Sequence, residues 1–498
     1  MTVAIEDRLA TAIALRLEGR LDEAEPVLRE LVSRAPKDAR PWANLGQLLR
    51  DLGRLDEAVA ALRRAAALAP EQGPILGVLG DCLHRMGRLN AADAVLRRSI
   101  EHGCENNAAA WTLLANNSRY LGKVDDVEGA LTRAAELEPG SPDMHNNIAV
   151  FLTTVGRFDE ALAHFEQAIA IAPDNRRWYQ NRGFTRLIAG DVEGGWTDYE
   201  FALHAGGARG DTTRVDLPRW TPAQPAARVL CSREQGVGDE ILFASCLPDL
   251  AAGTRVVVYE SDPRLVSLFA RSFPSIEVWP QDLDRPATDF DAGVLVGSLP
   301  LHFRRAVHEF PPDRRSYLVP DEAAVERWRT RMGALGRGPV IALSWRSKLM
   351  TAERRLEYTR LTEDWGPIFA IPGVTWVSAQ YDDCERELAD AEHKFGVTIH
   401  RFDDVDYLDD FDEVAALLSA CDLTLAPRNA VAMLAGALGV PTVMMGNRWD
   451  WADLGTDTSP WFPSVQLAYR QWGDDWNDVI AAAAARVEQL TPDKESLR

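Results

Sequence analysis

The run Glu234-Gln235-Gly236-Val237-Gly238-Asp239-Glu240 stands directly after a stretch of strand character and directly before a helical one. Gly236 and Gly238 permit a ligand to come close to the backbone, and a helix start supplies unpaired amides for an anion or a sugar. Asp239 lies where its carboxylate could cap that helix or take a proton as a base. Two basic groups occur in comparable places further on. Arg346, Ser347 and Lys348 follow a strand ending at Trp345, and Arg428 and Asn429 open a helix after Pro427, a second anion site by the same helix-end logic. A carboxylate facing such cationic, amide-rich loops is suited to proton removal beside a stabilised anion.

Those loops need a scaffold that brings them together. Residues 228–233, 255–260, 276–280 and 292–299 read as short strands, with helices over 239–250 and 263–273 between them. The alternation resumes with strands at 340–345, 375–380, 422–426 and 442–445 and helices at 412–420 and 429–438. Strands alternating with helices imply parallel sheets. Two such runs, separated by the proline-rich stretch 311–320 and a helix from Asp321, predict two Rossmann-like subdomains facing a cleft, with ligands at the carboxyl ends of the strands.

The first 209 residues are different. A phrase close to Gly-Arg-Leu-Asp-Glu-Ala recurs with its glycine at Gly19, Gly53, Gly87, Gly122, Gly156 and Gly190, at spacings of 34, 34, 35, 34 and 34. Such a period predicts a helical solenoid. With a repeat written over 39–72, Trp42, Leu45, Gly46, Ala58, Leu62, Ala65 and Pro70 are similar to the tetratricopeptide (TPR) pattern, and repeats begin near 5, 39, 73, 108, 142 and 176. The third departs from it, with Cys104 where proline is expected; the sixth ends in Gly206 and Gly207, as a joint to the next domain. Position 6 of a repeat points into the concave groove, and it is Asn44, Asn147 and Asn181 in repeats two, five and six, with Asn116 at position 9 of repeat four. An amide both donates and accepts, so a row of them can hold the backbone of an extended polypeptide, although asparagine is also common near helix ends. The row resembles the asparagine ladder of TPR-bearing protein glycosyltransferases.

Composition sets bounds on partners. Residues 1–209 carry 24 Lys plus Arg against 30 Asp plus Glu, and the remainder 30 against 45, so the α/β part has no excess of cations to neutralise nucleic-acid phosphates. The amino terminus is acidic and lacks an apolar leader, and no stretch of eighteen apolar residues follows, which predicts a cytoplasmic protein without a membrane span. Cys82, Cys104, Cys231, Cys246, Cys384 and Cys421 are scattered and read as reduced, mostly buried thiols. The acidic run from Asp403 to Glu413 contains an Asp-x-Asp but reads as a solvated loop and helix start. Trp449, in a carboxyl-terminal group of tryptophans, is placed near the cleft because it follows the strand ending at Met445 and Gly446.

Residues 234–250, 345–347, 380–381, 409–412 and 435–441 together resemble the carboxyl-terminal domain of bacterial TPR proteins related to the ADP-heptose:lipopolysaccharide heptosyltransferases. The resemblance covers most of residues 225–485 and implies a GT-B fold, two Rossmann-like subdomains that transfer a sugar from a nucleotide donor with inversion. On that basis the chain divides into a TPR solenoid at 1–209, an amino-terminal GT-B subdomain at 210–320 and a nucleotide-sugar subdomain at 321–498. Asp239 becomes the general base for an acceptor hydroxyl. Gly236, Gly238, Arg346, Ser347, Lys348, Arg428, Asn429 and Trp449 become donor-side residues, with no metal and no cofactor beyond the sugar nucleotide.

One departure narrows the family. Where heptosyltransferase-like proteins continue Ala-His-Leu-Ala, this chain has Met433 in place of histidine and adds Arg428. The variant 426–433 (Ala-Pro-Arg-Asn-Ala-Val-Ala-Met) resembles TPR-linked flagellin glycosyltransferases of the FlmG type. The resemblance implies transfer of a nonulosonic acid such as pseudaminic acid from a CMP-linked donor to flagellin, with Arg428 reading the carboxylate of the acidic sugar or else pairing with a nearby acid. A glycan-directed heptosyltransferase and a noncatalytic TPR scaffold are the alternatives.

Overall fold

Each repeat glycine ends one helix and starts the next. Gly19, Gly53, Gly87, Gly122, Gly156 and Gly190 all have φ between 70° and 87°, a left-handed conformation that side chains with a Cβ adopt at a cost. The computed structural model describes residues 2–202, 217–224, 226–282, 287–348 and 357–490. The boundary expected at 209/210, with Gly206 and Gly207, lies outside the described residues.

The chain forms two compact bodies, Met1–Phe151 and Leu152–Arg498. In the first, helices pair as Thr2–Leu17 with Leu21–Arg34, Ala39–Asp51 with Leu55–Leu68, Gly73–Arg85 with Leu89–Ser99, and Ala108–Tyr120 with Val124–Leu137. Small residues let these partners touch. A Cβ on Gly46 would meet Leu62 Cγ at 2.4 Å, and one on Gly80 would meet Leu96 Cδ2 at 2.5 Å. The missing proline of the third repeat has a structural counterpart: helix Leu89–Ser99 runs on into a wide turn, Ile100–Cys104, that buries Cys104.

The second body joins the last helices, Phe158–Ile171, Arg176–Ala189 and Val192–Phe201, to two parallel sheets. The first sheet contains β1 (Arg228–Ser232), β2 (Val256–Ser261), β3 (Glu277–Pro280) and β4 (Ala292–Leu295) in the order β3-β2-β1-β4. The second contains β5 (Val340–Leu343), β6 (Thr375–Ser378), β7 (Ile399–His400), β8 (Leu423–Pro427), β9 (Thr442–Asn447) and β10 (Val465–Arg470) in the order β10-β9-β8-β5-β6-β7. All pairings between these strands are parallel. The strands all point the same way, but the order in which the chain adds them reverses between β1 and β4 in one sheet and between β5 and β8 in the other. At such switch points the loops diverge and leave a crevice.

The last helical hairpin is built into the α/β core rather than appended to it. Trp196 is 1% exposed, meets Phe243, Trp451 and Trp461 edge-on, and donates its Nε1–H to the Arg304 carbonyl at 3.0 Å. Burying an indole this large contributes several kcal/mol, on the order of 25 cal/mol for each Å² of apolar surface removed from water. All six cysteines are buried and unpaired, and no helix among the described residues is long and apolar enough to cross a membrane.

Candidate functional site

A cavity of about 580 Å³ opens at the carboxyl ends of the switch-point strands, with the loop after β1 as one wall and the loops after β5 and β8 as the other. Gly236, Gly238, Asp239, Ser347, Lys348, Arg428, Asn429 and Met433 all line it. Residues more than a hundred positions apart are thus collected by two sheets of the same topology.

On the first wall, helix Val237–Ala244 has Gly236 as its N-cap, with no side-chain cap bond there. The first amides of a helix have no acceptor within it, so this end offers donors to a ligand. The adjacent acids, Asp239 and Glu240, have different surroundings. Glu240 is fully buried and receives Arg233 Nε at 2.7 Å, Ser261 Oγ at 2.7 Å, Tyr259 OH at 3.0 Å and the Asp262 amide at 3.0 Å. Burial pushes its carboxyl above the usual range in spite of those donors, and its role is to pin the helix start to β2. Asp239 is half-buried and faces the cavity.

The opposite wall is held by amide side chains. Asn429 caps helix Ala430–Ala437, its Oδ1 accepting the amides of Val431 at 3.1 Å and Ala432 at 3.2 Å. Its Nδ2 donates to Ser344 Oγ at 2.8 Å and to the Arg346 carbonyl at 3.3 Å. Gln380 completes the tie by accepting from Ser344 Oγ at 2.9 Å and donating to the Arg346 carbonyl at 3.1 Å. Asn429 therefore fixes the loop 344–348 as well as facing the cavity. Lys348 is exposed at the rim, with its amide on Tyr381 OH at 3.3 Å.

Two arginines expected to meet a donor are engaged by the protein itself. Arg346 is not among the cavity-lining residues; Asp382 and Glu387 hold its guanidinium, the latter at 2.7 Å. Burial opposes its charge, but these acids outweigh that and raise its proton affinity. Arg428 lines the cavity, yet it bonds Asp450 at 3.0 Å, Asp453 at 2.6 Å and Tyr469 OH at 2.5 Å. Burial again works against the charge, and Asp450, Tyr469 and Asp453 overcome it. Burial also pushes the Asp453 carboxyl up to about 6, against the pull of Arg428. Of the two roles weighed for Arg428, pairing with neighbouring acids is the one these contacts describe.

Trp449 is a correction. It does not line the cavity: its ring meets Phe158 edge-on at 5.0 Å and lies against Gly156, and Arg448 stacks on it at 4.7 Å. The reason is local, since Trp449 has φ +71° and the chain turns there. Trp451, two residues on, lines the cavity instead and stacks on Phe184 and Phe243. Arg264 is a second residue that sequence reasoning missed. It lies just beyond the end of β2, is clasped by Asp262 at 2.8 and 3.0 Å, and donates to the Leu408 carbonyl at 3.2 Å. Its position after a strand next to the switch point was the available signal. The acidic run is used internally: Asp410 caps helix Phe411–Ser419, while Asp404 pairs with Arg331 and Asp412 with Arg271.

The groove asparagines divide between the two bodies. Asn44, Asn116 and Asn147 are half-buried in the first and Asn181 in the second. Asn44 turns its Nδ2 back to the Arg40 carbonyl at 2.9 Å. Neighbouring Asn117 is fully buried, bonding His84 Nδ1 at 3.1 Å and the Leu89 carbonyl at 3.0 Å.

Family models for the tetratricopeptide repeat match residues 15–71, 49–116 and 112–176. This amino-terminal region is a TPR array. The chain is also similar to Protein FlbA of Caulobacter vibrioides, 29% identical over 435 residues that cover 76% of this chain and 72% of the relative. A match of that extent runs beyond Phe201, where the described repeat helices end, into the α/β part. Bovine tetratricopeptide repeat protein 36 is 41% identical over 92 residues, 18% of this chain, which spans less than half of that relative. Among solved structures, YrrB is 20% identical with a TM-score of 0.31 over 36% of this chain and 92% of its own. PilF of Pseudomonas aeruginosa is 15% identical with a TM-score of 0.38 over 42% of this chain and 95% of its own.

Proposed function

We propose that this chain is an inverting protein O-glycosyltransferase of GT-B architecture, in which the TPR groove takes a protein acceptor and the cavity takes a nucleotide-activated sugar. The observation that carries the reading is the cavity at two opposed switch points, with a carboxylate on one wall and a lysine on the other. In the reaction proposed, Asp239 removes the proton of an acceptor serine or threonine as its oxygen bonds to the anomeric carbon. The bond from that carbon to the donor phosphate breaks, and the phosphate leaves with the electron pair towards Ser347, Lys348 and the helix ends.

The finer assignments rest on resemblance. The motif around Arg428, Asn429 and Met433 favours a CMP-linked nonulosonic acid such as pseudaminic acid as donor and flagellin as acceptor, in the cytoplasm. The contacts of Arg428 modify this part of the proposal: a sugar carboxylate would have to compete with Asp450 or Asp453 for the guanidinium. The same contacts favour one second reading. With Arg346 and Arg428 both neutralised internally, a noncatalytic scaffold that keeps the cavity for nucleotide binding alone would look much the same.

A thermal-shift series with CMP, UDP and ADP tests the nucleotide part, because a ligand that binds only the folded state raises its melting temperature. Stabilisation by CMP supports the proposed donor, stabilisation by ADP alone returns the heptosyltransferase alternative, and no response to any nucleotide overturns the reading.

A further inference from the structure

The loop that carries Asp239 is tied at its start to the solenoid. Tyr199, on helix Val192–Phe201 of the last repeat, is 1% exposed and donates its hydroxyl to Glu234 Oε1 at 2.9 Å. The Tyr199 hydroxyl oxygen in turn accepts from Gln235 Nε2. The chain of donors is consistent, amide to phenol to carboxylate, so each group is used in the sense its chemistry allows.

Both loop residues are over-determined. Glu234 is fully buried, and a Cβ on Gly297 would lie 1.8 Å from its Oε1, so the carboxylate has no room to turn on that side. Gln235 has φ +59°, a left-handed conformation that a non-glycine residue keeps when its surroundings hold it there. The next residue, Gly236, is the N-cap of helix Val237–Ala244, whose first turn contains Asp239. Rotation of Gln235 out of this conformation would re-aim the helix start.

We infer that Tyr199 is a positioning residue: through Glu234 and Gln235 it holds the Gly236–Asp239 turn in the orientation that presents the Asp239 carboxylate to the cavity. The part of this claim that concerns transfer rests on the glycosyltransferase reading, whereas the part that concerns loop order does not. The last repeat thereby acts on the cavity wall from outside the cavity.

The test uses the full chain with Tyr199→Phe, which keeps the ring and removes the hydroxyl. Hydrogen exchange at residues 240–244, whose amides are the first in this helix with acceptors inside it, should quicken about tenfold, the effect of losing a hydrogen bond to a charged group. Nucleotide-induced stabilisation should stay as in the parent. If the parent transfers sugar, the variant should show kcat about tenfold lower with an unchanged donor KM, the pattern of lost orientation rather than lost binding. Unchanged exchange at 240–244 overturns the inference. A parent chain without transferase activity counts against the proposed function alone, because exchange still reads the loop. Should Tyr199→Phe fold poorly, Gln235→Gly removes the amide while accepting the positive φ. Faster exchange there supports the inference, and parental exchange in that variant contradicts it.

Discussion

Replacing Arg428 by Met removes the cation from a closed group of acids. Arg428 bridges Asp450 and Asp453, and the Tyr469 hydroxyl donates to Asp453 Oδ2 at 2.6 Å. Removing one partner of a buried ion pair costs about 3–5 kcal/mol, because the remaining charge stays in a poorly solvated place. Asp450 keeps a quarter of its side-chain surface in contact with solvent and can rehydrate, whereas Asp453 is 7% exposed. The lower end, about 3 kcal/mol at pH 8, follows, which for a large body is a fall of about 6 °C in Tm.

The pH dependence has a definite sign. Burial sets the Asp453 carboxyl at about 6, above its ordinary 3.8, so the folded chain holds that proton more tightly than the unfolded chain. The stability it contributes is complete below 3.8 and is lost as pH rises through about 6. Without Arg428 the folded value rises further, so the penalty of the substitution shrinks towards pH 5, where Asp453 is protonated, and grows towards pH 8. Thermal melts of the parent, Arg428→Met and Arg428→Met with Asp453→Asn, at both pH values, check this. The double variant should recover most of the loss at pH 8, since it restores charge balance around the buried position. If the single variant melts within about 1 °C of the parent at pH 8, or the double variant is no better than the single, the electrostatic account is wrong.

Two further outcomes follow from the geometry. Asn429→Ala removes a helix cap and the tie to Ser344 and the Arg346 carbonyl; it should lower stability by about 2 kcal/mol in denaturant titrations and reduce nucleotide-induced stabilisation. Gly455→Ala places a Cβ 2.8 Å from the Gly190 amide at a residue with φ +74°; a loss of about 2 kcal/mol or more, read by the same titration, should accompany loosening of the 448–455 loop from the last repeat.

The parts of the molecule written in local patterns were legible. The repeats announce themselves because a left-handed turn every 34 residues requires glycine and the helix contacts require small side chains. The loops after β1, β5 and β8 were legible because glycines, basic residues and a helix start follow short apolar runs. What failed to show depends on partners remote in sequence. Strand β7 is two residues long, and β10 alternates only partly in burial, so neither carries a strong strand signal. Arg428 looks like an anion ligand until Asp450, Asp453 and Tyr469, more than twenty residues away, fold onto it. Trp449 and Trp451 have similar sequence surroundings, and a single positive φ decides which of them reaches the cavity. Tyr199 belongs by sequence to the repeat array and by contact to the cavity wall.

In the proposed function Asp239 serves as the base for sugar transfer at a cavity that holds a nucleotide donor. Asp239→Asn keeps the shape of the side chain and removes its basicity, so transfer to the acceptor protein should fall by about 10²-fold or more. Nucleotide-induced stabilisation, measured on the same sample, should match the parent. Transfer at the parental rate by Asp239→Asn would contradict the account, whatever the identity of the sugar.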